Sequence, residues 1–295
     1  MKNNKKVIGC LAALIPNIIF GFSFLFSKTA LAVAHPLVIL AVRFTVAFLL
    51  LNVLWFLRVV KINLKGKNLK TVLLMALAQP LFYFIFELYG INATSSAISG
   101  VIISLVPIGV IIFSTLFLKE KPTKSQVLCS AISIAAVMGI SILSNDGKSN
   151  SAFGILLLIC AVICAAVFNI LSRKESQKFS PVERTYVMFA VGSIGFNLIA
   201  YLSLGGNFMV ELGKAFCSPD FLWSIGFLAV LSSVAAFLLY NYATTLIDSV
   251  RAASFSNIIT VVSVLAGIFI LGEQLSVYQI LLSAVIILGV YGSNR

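Results

Sequence analysis

The hydrophobic residues of this chain fall into long runs, each close to the length of one membrane crossing. Ten such runs follow one another, separated by short segments that hold most of the charged residues. A helix needs about 20 apolar residues to cross about 30 Å of hydrocarbon, and the runs lack the apolar–polar alternation of a membrane β-barrel. The pattern therefore predicts an all-α polytopic membrane protein with ten transmembrane helices. The predicted spans are 7–29, 37–57, 71–90, 97–118, 125–143, 152–172, 183–204, 221–243, 249–271 and 276–293.

The composition agrees with a lipid environment and leaves no stretch for a separate soluble domain. Of the 295 residues, 60% are hydrophobic and 10% are charged, and the mean hydropathy is +1.09. The first run lacks a small-residue cleavage site and is too long for the core of a signal peptide, so we expect it to be retained as a helix. Five cysteines, four of them inside apolar runs, predict neither a disulfide framework nor a metal site, and no cofactor is expected.

The net charge of +12 is compatible with a nucleic-acid partner, but the positions of the basic residues favour another explanation. If the ten runs are spans, 17 of the 21 Lys and Arg residues lie on one side of the membrane. Lys28, Lys148 and Lys214 lie on the other side, and Arg43 lies within a helix. Because Lys and Arg accumulate in cytoplasmic loops, both termini are predicted to be cytoplasmic, and we expect the lipid bilayer rather than nucleic acid as the partner.

Two stretches of the first half recur in the second half. The sequence FLKEKPTKSQVLCSA at 117–131 matches ILGEQLSVYQILLSA at 270–284, a spacing of 153 residues. The sequence FSKTALAVAHP at 26–36 matches LSRKESQKFSP at 171–181, a spacing of 145 residues. These matches indicate an internal duplication of a five-span unit.

The duplicated halves are predicted to cross the membrane in opposite directions, because five spans is an odd number. Lys119, Lys121 and Lys124 have no basic counterparts in the second copy, as expected if that copy of the loop is external. We therefore predict two inverted five-helix repeats, residues 1–146 and 147–295. Inverted repeats of this kind are typical of secondary transporters.

These features resemble the drug/metabolite transporter superfamily, in its ten-helix EamA-type branch. The similar stretches are FGFSFLFSK and HPLVILAVRF in helices 1 and 2, LYGINATSSAISGVIISLVPIGVIIFSTLFLKE in helices 3 and 4, and ATTLIDSVRAASFSNIITVVSVLAGIFILGE in helices 8 and 9. Pro107 and the Leu-x-Glu turns that end at Glu120 and Glu273 match the family pattern. The resemblance implies a carrier of small metabolites, with a central cavity lined by helices 1, 3, 4, 6, 8 and 9.

The chain departs from the family pattern at two points. Phe20-Gly21 stands where the family often has Trp-Gly, and Thr260 occupies the second-half position that matches Pro107. A proline kink is therefore expected in helix 4 but not in helix 9.

Two charged side chains lie well inside the predicted spans, away from their ends, at similar depth in the outer leaflet. Arg43 follows Pro36 by seven residues, or roughly 10 Å, and Glu87 lies near the outer end of helix 3. One interpretation is a structural ion pair between helices 2 and 3, since pairing is how intramembrane charge is usually tolerated. The other is that Glu87 titrates or meets a cationic group of the substrate. The repeat aligns Glu87 with Tyr240 and Arg43 with Met188, so neither charge is duplicated.

Polar side chains in mid-helix must find partners within the bundle, because hydrocarbon offers none. Each one singly is more often a contact between helices than a contact with substrate. Ser104 and Asn257 occupy equivalent positions in helices 4 and 9, and we expect this pair to form two sides of one site at the repeat interface. The candidates for lining a substrate cavity are Asn17, Phe20, Phe24, Gln79, Tyr83, Ser104, Asn169, Asn241 and Asn257.

Two turns carry equivalent glutamates, Glu120 before helix 5 and Glu273 before helix 10. Each lies three residues before a hydroxyl residue, Thr123 or Ser276. We expect these carboxylates to accept hydrogen bonds from amides at the start of the following helix. The alternative is that they act as gate latches, and together with Pro107 they are the candidates for a hinge or turn in each repeat.

The inverted halves predict a secondary transporter that moves a small organic metabolite, an amino acid or related compound, by alternating access, with export as the favoured direction. Two alternatives stay open: an exporter of cationic drugs or quaternary amines, and a non-transporting membrane scaffold. An enzyme is not expected, since the single histidine, His35, lies at the outer edge and no acidic pair lies at membrane depth. No Walker A pattern is present, so ATP is not expected to drive transport directly.

The coupling, the location and the assembly of the protein are less determined by the sequence. Glu87 would allow a coupling proton, whereas facilitated diffusion needs no ionisable group. The lysine-rich and asparagine-rich composition favours the plasma membrane of a bacterium. The sequence leaves open the direction of transport, the substrate and the oligomeric state.

Overall fold

A computed structural model of the chain describes residues 2–93, 102–103, 105–120, 122–143, 151–271 and 277–294. Within these ranges the regular structure is helical, and no strand occurs. Long apolar helices dominate, so the prediction of an all-α polytopic membrane protein is confirmed.

Fourteen α-helices follow one another in the described ranges. They are α1 (Lys2–Leu31), α2 (Pro36–Phe56), α3 (Lys70–Ala76), α4 (Tyr83–Asn92), α5 (Val106–Phe113), α6 (Lys124–Leu143), α7 (Ala152–Glu175), α8 (Pro181–Leu204), α9 (Asn207–Phe216), α10 (Pro219–Gly226), α11 (Ala236–Leu246), α12 (Ser249–Ser254), α13 (Ile258–Leu271) and α14 (Val277–Asn294).

Six helical stretches of the described chain are long and apolar enough to cross a membrane. They are Lys5–Leu31, Pro36–Phe56, Lys70–Gly90, Ala152–Glu175, Pro181–Leu204 and Pro219–Leu246. Four shorter apolar helices accompany them: Val106–Leu118, Lys124–Gly139, Ser249–Val262 and Ile280–Ser293. These ten stretches overlap the ten predicted spans, but only six reach spanning length, so the count of ten transmembrane helices stays a prediction.

Equivalent helices of the two halves begin with the same local chemistry. The side chain of His35 accepts a hydrogen bond from the amide of Leu37, and Pro36 opens α2. Ser180 and Glu183 form a capping box in which Pro181 opens α8. A proline suits the first position of a helix, because its fixed backbone angle is helical and no amide hydrogen is needed there. The 145-residue repeat spacing therefore relates two helix starts in the structure as well as in the sequence.

The third and eighth predicted spans each contain a π-helical segment, Leu77–Phe82 and Phe227–Ala235. Adding the repeat spacing of 153 to 77–82 gives 230–235, which lies within the second segment. In the first segment Gln79 leaves the helical region, with φ −146° and ψ 122°. The following Pro80 disfavours helical backbone at the residue before it. Both halves thus interrupt the regular helix at the same level.

Two pairs of equivalent helices run antiparallel in the structure. Where α6 packs on α14, Ser125 donates to the carbonyl oxygen of Gly292 (3.2 Å), whereas Gly139 lies against Leu282. Residue numbers therefore rise along one helix as they fall along the other. Helices α2 and α8 are antiparallel as well. Asn197 donates to Thr45 (2.7 Å) and Tyr186 donates to Asn52 (3.0 Å), so a higher residue number in α2 meets a lower one in α8. The inversion of the complete halves, and the boundary between residues 146 and 147, stay predictions.

Helices of the two halves also make equivalent contacts across the bundle. Gly21 of α1 lies against Val262 of α13, and Gly109 of α5 lies against Ala166 of α7. The repeat spacings convert one pair into the other, since 21 corresponds to 166 and 109 to 262. The larger hydrophobic core lies around α1, α2, α8 and α11, and a second cluster packs α5 and α7 against α12.

Close packing of α6 against α14 requires a glycine at position 289. A Cβ atom there would collide with the Ser133 side chain and would lie 2.9 Å from the carbonyl oxygen of Cys129. We expect Gly289→Ala to lower the free energy of unfolding by about 1–3 kcal/mol, the usual cost of overpacking, measured as a lower melting temperature in detergent. Gly213→Ala is the matched control, because no atom lies within 4 Å of a Cβ added at Gly213. Equal melting temperatures for the two variants would contradict this account of the α6–α14 contact.

Candidate functional site

Arg43 is buried within the bundle, with 5% of its surface exposed. Its Nε donates to Ser233 Oγ (2.9 Å) and its Nη2 to Ser232 Oγ (3.1 Å). The guanidinium carbon lies 5.5 Å and 5.2 Å from the ring centres of Phe44 and Phe84. Both serines belong to the π-helical segment before α11, so Arg43 links α2 to the interrupted part of the eighth span.

Glu87 bonds within its own helix rather than with Arg43. Its Oε1 accepts a hydrogen bond from the hydroxyl of Tyr83 one turn earlier (2.7 Å). No ion pair within 4.0 Å joins the described side chains of Arg43 and Glu87, although their charges lie near enough to interact. The ion pair that one interpretation placed between helices 2 and 3 is therefore not a direct contact, and the two charges interact only at longer range. Arg43 bonds the hydroxyl groups of Ser232 and Ser233, and Glu87 bonds the hydroxyl group of Tyr83. Each charged group therefore has neutral hydroxyl partners in place of the opposite charge.

Glu87 faces the interior of the bundle. Tyr83, Glu87 and Gly90 fall on one face of α4, because they are spaced four and three residues apart. Gly90 on that face lies against Leu158 of α7. Phe84, at the side of the same face, adjoins Arg43. Glu87 is half-buried, and its charge lies near enough to Arg43 to interact with it.

Asn169 and Asn241 join helices through buried hydrogen bonds. The hydroxyl of Tyr240 donates to Asn169 Oδ1 (2.6 Å), which connects α7 with α11. Ser172 donates to Asn241 Oδ1 (2.7 Å), and Asn241 Nδ2 donates to Thr185 Oγ1 (2.9 Å). Both asparagines thus hold α7, α8 and α11 together, which is the helix-contact role that the sequence favours for each polar residue singly.

Arg184 belongs to the same network, although the sequence counted it among the 17 basic residues on the cytoplasmic side of the membrane. It is fully buried in the first turns of α8. Its Nη1 donates to the carbonyl oxygen of Ser172 (2.6 Å), to Ser172 Oγ (2.7 Å) and to Thr244 Oγ1 (2.9 Å), and its Nη2 donates to the carbonyl oxygen of Asn241. The signal that could have found it is Pro181, because a proline that opens a helix places the residue three positions later inside it.

The remaining candidates occupy different parts of the bundle. Asn17 is buried but donates to a carbonyl of its own helix, Ala13 (2.7 Å). Phe20 packs edge-on against Phe237, with ring centres 5.5 Å apart. Gln79 occupies the interruption of the third span, and Pro107 lies in the first turn of α5.

Of the predicted pair of Ser104 and Asn257, only Asn257 belongs to the described residues. Asn257 is 2% exposed and lies in the 3₁₀ turn between α12 and α13, and its Oδ1 accepts no hydrogen bond from the described residues. Ser104 and Glu273 lie outside the described residues, as does the side chain of Phe24. A common site for Ser104 and Asn257 therefore stays a prediction.

Glu120 connects the two halves of the chain. Its carboxylate accepts from Arg173 Nε (3.4 Å) at the end of α7 and from the amide of Ser249 (3.3 Å) at the start of α12. The start of α6 is instead capped by a reciprocal pair: Thr123 Oγ1 accepts from the amide of Gln126 (3.2 Å), and Gln126 Oε1 accepts from the amide of Thr123 (2.8 Å). The expectation that Glu120 bonds the following helix is therefore wrong, because these two amides are bonded by Thr123 and Gln126.

A cavity of about 230 Å³ lies beside this junction. Its lining combines residues of the turn before α6 with residues at the start of α12, namely Glu120, Pro122, Thr123, Gln126, Asp248, Val250 and Arg251. Arg251 pairs with Asp248 (3.3 Å) on the wall of the cavity. No group of three or more potential metal ligands occurs in the described part of the chain.

Residues 7–142 and 152–295 of this chain match the sequence profile of the EamA-like transporter family. The chain belongs to the EamA-like transporter family. The resemblance stated from the sequence is therefore confirmed, and the chain is a multi-pass membrane protein of a transporter family. The predicted repeat boundary falls between the two matched blocks.

Several curated proteins are similar to this EamA-like chain along nearly their whole length. An uncharacterized transporter of Bacillus subtilis, YcxC, is 35% identical over 296 residues, which cover 100% of this chain and 95% of that one. An uncharacterized transporter of Archaeoglobus fulgidus is 29% identical and covers 92% of this chain and 93% of its own. Protein PagO of Salmonella typhimurium is 23% identical, covering 97% and 93%.

The fold is also present among solved structures. One crystal structure superposes with a TM-score of 0.77 at 15% identity and covers 96% of this chain and 95% of its own. At this level of identity the likeness is one of fold. The EamA-like bundle described above is therefore an architecture that crystallography has observed.

Proposed function

We propose that this EamA-like protein is a secondary transporter that moves a small organic metabolite, an amino acid or related compound, across the plasma membrane by alternating access. The observation that carries the proposal is the equivalence of helix contacts in the two halves. The Gly21–Val262 and Gly109–Ala166 contacts are related by the repeat spacings. A bundle whose halves are equivalent can exchange their conformations, and that exchange opens first one side and then the other.

The junction at Glu120 supports closure of the side predicted to be cytoplasmic. Arg173, besides its contact with Glu120, donates to the carbonyl oxygen of Thr244 (2.8 Å). The turn before α6 is thereby tied to the end of α7 and to the start of α12, which lie in the other half. In this proposal the junction breaks when the cytoplasmic side opens, as the gate-latch alternative for Glu120 requires.

The polar and charged side chains inside the bundle favour a polar metabolite. Glu87, Arg43 and Tyr83 lie close together and offer both charges and a hydroxyl group. An exporter of cationic drugs is less favoured, because a cation beside Glu87 would also meet the positive charge of Arg43. We propose export through a carrier that does not alter its substrate chemically, with both termini in the cytoplasm.

Glu87 supports coupling to protons, because it is the half-buried carboxylate that faces the bundle interior. The carboxylate can carry a proton between the two sides as the bundle changes its conformation. Facilitated diffusion would leave Glu87 without such a role.

Transport is tested with the purified protein in proteoliposomes, with and without a pH gradient, using a radiolabelled mixture of the common amino acids. We expect gradient-driven flux in the natural protein. In Glu87→Gln we expect flux without any response to the gradient, because the side chain keeps its shape but cannot carry a proton. Glu211→Gln is the control, since Glu211 pairs with Lys214 (3.0 Å) on the surface helix α9. Full gradient response in Glu87→Gln would exclude Glu87 as the coupling group.

The latch is tested by the reactivity of a cysteine beneath it. Ile170 lies in the cluster that packs α5 and α7 against α12 and is 4% exposed. In a background without the five natural cysteines, we expect Glu120→Gln to raise the maleimide reaction rate of Ile170→Cys. Losing about 1 kcal/mol of hydrogen bonding shifts a two-state equilibrium roughly fivefold. Lys119→Gln is the control, because it removes a charge at an exposed position one residue away, and it should leave the maleimide reaction rate unchanged. A rate that is the same for both variants would contradict the latch.

A further inference from the structure

Arg43 is a buried cation whose hydrogen bonds are made to neutral groups. Its two recorded partners are the hydroxyl oxygens of Ser232 and Ser233. They occupy Nε and one N–H of Nη2, which together form one edge of the guanidinium. The other edge, formed by Nη1 and the second N–H of Nη2, donates to no acceptor in the described part of the chain. A planar guanidinium edge with two parallel N–H groups matches the two oxygens of a carboxylate.

Arg184 is bonded differently from Arg43, because its unbonded donor is the buried Nε and not the terminal edge of the guanidinium. Arg184 is equally enclosed, but its two terminal nitrogens donate to four oxygen atoms of Ser172, Thr244 and Asn241. Those bonds connect α7, α8 and α11 and account for Arg184 as a structural residue. Arg43 makes half as many bonds and has aromatic rings of Phe44 and Phe84 in place of further acceptors.

The surroundings of Arg43 suit a ligand that arrives from the bundle interior. The ring of Phe84 contacts both the guanidinium of Arg43 and the ring of Tyr83, and the centres of the Phe84 and Tyr83 rings are 5.2 Å apart. The hydroxyl of Tyr83 donates a hydrogen bond to Glu87. Glu87, whose charge lies near enough to Arg43 to interact with it, is only half-buried, so part of this region is accessible. Tyr83 binds the Glu87 carboxylate, and no ion pair within 4.0 Å joins it to Arg43, so the open edge of the guanidinium stays free to bond an incoming carboxylate.

We propose that Arg43 binds the carboxylate group of the transported molecule through its open edge. The two serines bond the opposite edge of the guanidinium, and the ligand carboxylate supplies the charge-assisted hydrogen bonds that the described residues do not. This proposal rests on the proposed transport function and narrows its substrates to carboxylate-bearing molecules. The duplicated scaffold has Met188 at the equivalent position, so the carboxylate is recognised from one half alone.

The test compares ligands that differ only at the carboxylate: each common amino acid and the corresponding amino acid amide. Affinities are measured as competition for transport in proteoliposomes. In the natural protein we expect the acids to bind at least about 10-fold more tightly than the amides. In Arg43→Gln we expect the acids to weaken by about 10- to 100-fold, the worth of hydrogen bonds to charged groups, so that the acid-to-amide ratio falls to about one. Lys214→Gln, which removes an exposed cation on α9, should keep the full ratio.

A second variant separates recognition from a purely structural role of Arg43. Ser232→Ala with Ser233→Ala removes both recorded bonds of Arg43 but keeps its open edge, so the preference for acids over amides should persist. Loss of that preference in the serine variant, or its survival in Arg43→Gln, would overturn the proposal. Equal affinities of acids and amides in the natural protein would overturn it while transport itself stands. If no member of either series were transported, the proposed function would fail together with this inference.

Discussion

A guanidinium or an amide inside a bilayer has no water to bond, so its protein partners decide how the surrounding helices are held. In this chain two buried arginines reach the same span from two neighbouring helices. Arg43 of α2 bonds Ser232 and Ser233 in the π-helical segment, and Arg184 of α8 bonds Asn241 and Thr244 in α11. Breaking either set would leave polar groups without partners in a nonpolar medium, and this cost fixes the position of the eighth span.

The scaffold is duplicated, but its polar chemistry is not. Helix starts, π-helical segments and close glycine contacts recur at the repeat spacings. Glu87 aligns with Tyr240, which bonds Asn169 of a neighbouring helix, whereas Glu87 bonds a tyrosine of its own helix. One half therefore uses this level of the membrane to join helices, and the other keeps a half-buried charged group there. Such a division suits a carrier, since similar halves permit equivalent conformations while a single half holds the recognition chemistry.

The sequence predicted what depends on local pattern and on the repeat. The apolar runs located the helices, Pro36 and Pro181 located two helix starts, and Asn169 and Asn241 were identified as polar residues that need partners. The partners themselves depend on tertiary geometry, which the pattern does not contain. Arg43 and Glu87 have suitable depth for an ion pair but bond hydroxyl groups that lie nearer. Glu120 likewise bonds across the halves, because Gln126 already caps α6. The helix α9 went unpredicted, since ten residues between two spans resemble a loop when hydropathy alone is considered.

The central claim is that the two halves lie antiparallel in the membrane and enclose the pathway between them. The most direct measurement labels Lys124→Cys and Val277→Cys with a membrane-impermeant maleimide, separately in intact cells and in inside-out vesicles. Both positions are exposed, and they are the first residues of the antiparallel helices α6 and α14. We expect Val277→Cys to react from outside the cell and Lys124→Cys to react from the cytoplasmic side. Reaction of both positions from the same compartment would contradict the antiparallel arrangement and the transport mechanism built on it.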